Sequence, residues 1–248
     1  MMTSQETVAA PGLGGKLGDI CDTPTMTDLA NLFHLCQAEG ELGIVTGEPG
    51  AGKTTAAKRY AADNSGAHLV TMSPAASALV PSLARIGEAL GAFPSRSGAC
   101  DWSDAICAAL SYQINPHVLL IDEAHHLADI SVEEIRAIFD ATGVGVVFIG
   151  SRDMRERWSG KRWAQLASRV FQRIDLDGPM PADVDAICTA TGIEGKRPRD
   201  LMRRAARMPG GLRVVRKILG VAAKLSGPDK PLKSEHIEAA FRDREAAL

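Results

Sequence analysis

A chain of 248 residues, 45% hydrophobic and 23% charged, has the length for one large folded domain or a domain with a small appendage. These proportions exclude a wholly disordered or collagen-like chain, and no apolar run approaches the roughly 18 residues of a membrane span. The net charge of −2 hides a segregation, because Arg152 to Ile174 carries seven Lys/Arg against two acids and Gly195 to Lys217 nine against one; either an anionic partner or acidic neighbours packed alongside must balance them.

Residues 1–21 are rich in Gly, Ala and Thr and are expected to form a flexible arm. They lack the basic start and apolar run of a secretory signal, so the cytosol is the expected compartment. The five cysteines (Cys21, Cys36, Cys100, Cys107, Cys188) are odd in number and form no CxxC pair, which reads as reduced, mostly buried thiols. Leu29, Leu32, Phe33 and Cys36 follow a helical period, with Thr25 or Thr27 near the N-cap of a short helix. Strands are predicted at Leu42–Thr46, His68–Met72, His117–Ile121 and Gly145–Ile149, with helices at Lys53–Asp63, Leu79–Leu90, Trp102–Tyr112 and Val132–Phe139 between them. Short, nearly all-apolar strands alternating with helices mean a parallel sheet covered on both faces, hence an α/β fold. Beyond Asp177 the strand signals stop. Four helices are predicted, at Pro181–Thr191, Pro198–Arg207, Leu212–Leu225 and Ser234–Ala246, punctuated by Gly192, Pro209-Gly-Gly211 and Gly227-Pro228. The expected division is a nucleotide-binding core over 22–177 and a helical lid over 178–248.

Gly47-Glu48-Pro49-Gly50-Ala51-Gly52-Lys53-Thr54 fits GxxxxGK[ST] between a strand and a helix. The glycines let backbone N–H groups cradle phosphates, and the helix dipole adds to the attraction. Lys53 is the candidate for the β- and γ-phosphates and Thr54 for Mg²⁺, with Thr55 in the same helical turn. Asp122, at the end of an apolar strand, is the second Mg²⁺ candidate, and Glu123 is the candidate base for an attacking water. The chemistry implied is nucleoside triphosphate hydrolysis, with ATP, cleaved to ADP and phosphate, as the expected substrate.

Ser151 follows the fourth strand, where a hydroxyl suits either a γ-phosphate contact or a helix cap. Arg169 ends a helix before the last strand and is a candidate to reach a neighbouring subunit's site, with Arg162 and Arg173 as rivals. Arg213 opens the third C-terminal helix and is a candidate to lean over bound phosphates. His125 and His126 follow the acids, but no cysteine or further histidine stands at ligand spacing, so packing at a helix start is the reading adopted. Trp158 and Trp163 lie among arginines on one predicted helix, either for packing or for base stacking.

In that order, the phosphate loop, the Asp-Glu strand, Ser151, Arg169 and the Arg213 helix resemble an AAA+ ATPase over about residues 22–225. Gly47–Thr55, Arg59-Tyr-Ala61, Leu69–Ala75, Ile121–Leu127 and Leu212–Lys217 are similar to the transposition protein B family of Mu-like phages. That resemblance implies an ATP-dependent protein that assembles into filaments on double-stranded DNA, delivers it to a transposase and activates that enzyme, with hydrolysis dismantling the filament. It also implies a homo-oligomer, no membrane, and a bacterial or phage-infected host cytoplasm. Only about 20 residues precede the core, so DNA contact is expected from the ATPase itself, with Ser73, Ser77, Arg152, Arg155 and Lys161 as candidates. The alternatives are a secretion-type AAA+ ATPase and a helicase loader.

Overall fold

The computed structural model describes residues 21–111, 115–227 and 230–246. The expected arm, apart from Cys21, lies outside the described residues, as do Tyr112 and Pro228. The chain divides into two compact units, one spanning Met26–Asp177 and the other Gly178–Leu248 with the segment up to Thr25.

The larger unit is a five-stranded parallel sheet in the order β2-β3-β4-β1-β5, where β1 is Leu42–Gly47, β2 Ala67–Thr71, β3 Val118–Asp122, β4 Gly145–Gly150 and β5 Val170–Leu176. β1, β3 and β4 are buried at every position, in keeping with their nearly all-apolar sequences. Alternate residues feed two cores. Leu42, Ile44, Leu119, Ile121, Val146 and Phe148 pack with residues of α3 (Leu79–Leu90), α4 (Ala99–Ser111) and α5 (Asp129–Thr142). Val45, Val118, Leu120, Val147 and Ile149 pack with residues of α1 (Pro24–Glu39) and α2 (Lys53–Asp63).

The predicted helices over 53–63 and 79–90 coincide with α2 and α3. α1 is longer than expected and starts at Pro24, whose fixed φ suits a first helical position, so Thr25 and Thr27 lie inside the helix rather than at its cap. The single helix expected around Trp158 and Trp163 is instead broken. α6 (Asp153–Arg157) ends before Trp158, Gly160 takes φ 88, and a 3₁₀ turn at Lys161–Trp163 precedes α7 (Ala164–Ala167). Both tryptophans are 3% exposed, with Phe148 edge-on to Trp158 at 5.0 Å, so they are core residues and not a stacking platform for bases.

The second unit holds α8 (Pro181–Ala190), α9 (Lys196–Ala206), α10 (Leu212–Ser226) and α11 (Ser234–Ala246) around one apolar cluster. Asp183 is fully buried there and accepts hydrogen bonds from Met180 N, Thr25 N and the Thr25 hydroxyl at 2.9, 2.9 and 2.7 Å. Among the described residues all five cysteines are free, and no helix is long and apolar enough to cross a membrane. Burial pushes the Cys36 and Cys188 thiols up to about 12 and about 11, which keeps them protonated and unreactive.

Candidate nucleotide site

All five strands run parallel, so their carboxyl ends share one edge of the sheet, the edge at which α/β proteins bind ligands. Thr46 lies level with Gly150 and with Asp175, and Thr71 level with Asp122. This registry gathers Gly47–Thr55, Asp122, Glu123 and Ser151 at that edge.

β1 enters the phosphate loop through Gly47, where a Cβ would stand 2.4 Å from Leu176 O, so only glycine lets β1 and β5 remain paired there. Glu48 N–H donates to Leu176 O at 3.1 Å and fixes the loop's first turn. Gly52, left-handed at φ 101, precedes α2 without a side-chain cap, leaving that helix end to a phosphate. Ala51 is buried beneath the loop, while Glu48, Pro49 and Thr55 are exposed and Gly50 and Thr54 half-buried. Lys53 Nζ donates to Gly47 O at 2.7 Å and Glu48 O at 3.0 Å, which holds the ammonium over the loop.

Asp122 ends β3 and is only 2% exposed. Its Oδ1 accepts the Glu123 N–H at 3.0 Å, while Oδ2 is buried with no hydrogen-bond partner. Burial pushes its pKa up, the Thr54 hydroxyl, the Glu123 amide and Lys53 pull it down, and Glu123 pushes it up; burial wins. A buried, orphaned carboxylate oxygen beside a hydroxyl is an oxygen-only donor set, which suits Mg²⁺.

Glu123 has φ 55, the one positive φ outside glycine among the described residues, and such strain persists where surrounding packing imposes it. Its Oε2 lies 3.4 Å from His125 Nδ1, in a 3₁₀ turn over Ala124–His126. His125 Nδ1 is itself buried without a hydrogen-bond partner. Burial, and after it His126, lowers the His125 pKa against the opposing pull of Glu123, Asp153 and Asp122, leaving a neutral ring. The Ser151 hydroxyl is also buried and unpartnered, and α6 begins with no side-chain cap, so Ser151 does not cap it.

The arginines prove heavily paired. Arg169, beside β5, donates from Nε to Asp140 Oδ1 at 2.7 Å, and that hydrogen bond raises its pKa. Arg162 pairs with Asp129 at 2.7 Å, and Arg173 lies half-buried on β5. Arg213 is exposed in the first turn of α10, within the second unit. Arg155 pairs with Asp175 at 2.9 Å, whereas Lys161 is exposed. Ser73 and Ser77 flank the 3₁₀ turn after β2, and Ser77 O accepts the Ser131 hydroxyl at 3.0 Å. Arg152 pairs with Glu48 at 3.4 Å and also with Asp177, which ties the phosphate loop to the end of the larger unit. Sequence reasoning missed that link, since nothing local marks a pair about one hundred positions apart.

Comparison with known proteins places this geometry. Residues 37–158 match the family model described as "AAA domain", and residues 168–243 match "Mu B transposition protein, C terminal". The chain is 27% identical over 231 residues to the "ATP-dependent target DNA activator B" of Escherichia phage Mu, covering 90% of this chain and 72% of that protein. It is 29% identical over 202 residues to the "Mu-like prophage FluMu DNA transposition protein B" of Haemophilus influenzae, covering 78% and 69%. Among solved structures, the Aeropyrum pernix ORC2 protein superposes with TM-score 0.67 at 17% identity over 98% of this chain and 71% of its own. The A. pernix ORC1 protein, solved in complex with DNA, gives TM-score 0.66 at 15% identity over 94% and 68%. With one stretch similar to an AAA domain and a later one similar to the Mu B C-terminal segment, the chain has the AAA+ P-loop fold and resembles the transposition protein B family of Mu-like phages.

Proposed function

We propose that this chain is an ATP-dependent, largely sequence-nonspecific DNA-binding ATPase that assembles on target DNA, delivers it to a transposase and activates that enzyme. The observation that carries the catalytic part is the buried, unpartnered Asp122 oxygen beside Thr54 and Lys53 at the mouth of a phosphate loop. The DNA and transposase parts are supported by the names of the Mu and Haemophilus relatives and the Mu B match over residues 168–243.

In this mechanism the backbone N–H groups of the loop and the start of α2 hold the β- and γ-phosphates. Lys53 exchanges its two loop carbonyls for phosphate oxygens. Thr54 and Asp122 would hold Mg²⁺, which supplies charge neutralisation on those phosphates. Glu123 orients the attacking water and takes its proton, and the unpaired Ser151 hydroxyl meets the γ-phosphate. Arg169 exchanges Asp140 for a neighbouring subunit's nucleotide. ATP between subunits orders a filament on DNA, and hydrolysis releases it. Exposed ion pairs such as Arg152–Asp177 and Arg155–Asp175 are worth little in water, so DNA phosphates compete for these arginines, with Lys161, Ser73 and Ser77 as further contacts.

Turnover and sedimentation with generic duplex DNA at two salt concentrations test this reading. Wild type is expected to form ATP-dependent complexes on DNA that weaken with salt. Glu123→Gln is expected to lose about 10²–10⁴-fold in turnover while its DNA complexes persist. A Glu123→Gln chain that binds ATP yet forms no DNA complex would end this account.

A further inference from the structure

On the turn after β3, Glu123, His125 and His126 each present a ligand atom, and the three atoms lie within 4.8 Å of one another. Glu123 Oε2 and His125 Nδ1 are 3.4 Å apart. Four-coordinate zinc, with ligands about 2.0–2.1 Å away, sets neighbouring ligand atoms about 3.3 Å apart, so this pair already spans one edge of its tetrahedron. The His125 and His126 rings stand 4.1 Å apart between centroids and tilted by 46°. His125 Nδ1 is buried with no hydrogen-bond partner, a state that costs free energy unless something uses the lone pair. Glu123 precedes His125 by two residues in the sequence, and the strained turn brings its carboxylate to the imidazole.

We infer that Glu123, His125 and His126 form a binding site for a borderline divalent transition-metal cation of the Zn²⁺ class, with the fourth position left to water. Imidazole nitrogens suit Zn²⁺ and disfavour Mg²⁺, so this site is chemically distinct from the Thr54–Asp122 pair. All three residues are half-buried. Occupation engages the Glu123 carboxylate and switches hydrolysis off while leaving the phosphate loop free. That consequence alone rests on the proposed role of Glu123 as base.

The test titrates Zn²⁺ into the full chain without nucleotide, against a chromophoric chelator, in wild type, His125→Asn and His126→Asn. Circular dichroism checks that each variant is folded, and Co²⁺ serves as a visible-spectrum stand-in for a four-coordinate site. One Zn²⁺ per wild-type chain is expected, with at least tenfold weaker binding in each variant and loss of the Co²⁺ bands. Absence of stoichiometric binding in wild type, or wild-type affinity in either folded variant, overturns the site. ATP turnover followed in excess Mg²⁺ separates the two ideas: stoichiometric Zn²⁺ at this site with unchanged turnover removes Glu123 as the base and leaves the site standing.

Discussion

Asp122 sits in a place that disfavours its charged form. Its pKa is raised mainly by burial, so the folded chain holds this proton more tightly than the unfolded chain, whose carboxyl titrates near 3.9. Between the unfolded value and the raised folded value, stability therefore falls as pH rises. Asp122→Asn is expected to melt at the same temperature as wild type or higher at pH 7. The difference should shrink below pH 4, while Mg²⁺-dependent turnover collapses. Thermal unfolding at both pH values checks this, and a lower melting temperature at pH 7 would sink it. The identity of Asp122, Glu123, Lys53 and Thr54 as candidates was legible in the sequence because phosphate chemistry demands these residue types at fixed spacing. The orphaned oxygen and hydroxyl at Asp122 and Ser151 were not legible, because they arise from how neighbouring strand ends and turns meet.

At the scale of elements, Gly47 shows how closely the loop depends on its sheet. β1 lies between β4 and β5, and its last residue passes so near Leu176 that a methyl group would meet the carbonyl oxygen at 2.4 Å and the Leu176 Cβ at 2.7 Å. Gly47→Ala is expected to open this end of the β1–β5 pair, cost about 1–3 kcal/mol in urea denaturation and weaken nucleotide binding. Unchanged stability would show that the strand ends move apart freely. The same scale explains the segment around Trp158. Its apolar spacing suited one helix, but the indoles bury themselves against Phe148 and each other at 5.8 Å, which requires the break at Gly160. Tertiary burial outweighed local periodicity there, whereas α2 and α3, with uninterrupted helical spacing, followed it.

At the scale of the molecule, the basic run of Gly195–Lys217 meets acids brought mostly from other helices, with Asp200 supplied by its own. Arg203 pairs with Asp185 and Asp200, Arg197 with Glu238, and Arg204 with Glu245 while also lying over Phe241. Arg207, Arg213, Arg216 and Lys217 stay exposed, so part of the charge excess is internal to the unit and part faces outward. Asp183 joins residues 158 positions apart through its bonds to Thr25. Asp183→Ala strands these buried donors and is expected to destabilise the chain by about 3 kcal/mol in urea unfolding, where a loss under about 1 kcal/mol would mean that water replaces the carboxylate.

The sequence alone determined the parallel α/β class, the phosphate loop and the acidic strand end, because apolar periodicity and phosphate chemistry are written in residues close together along the chain. Only the tertiary structure decided which arginines are paired, that the tryptophans are core, and that Arg152 ties Glu48 to Asp177. Those outcomes follow from burial and from the meeting of distant segments, and no local pattern encodes either.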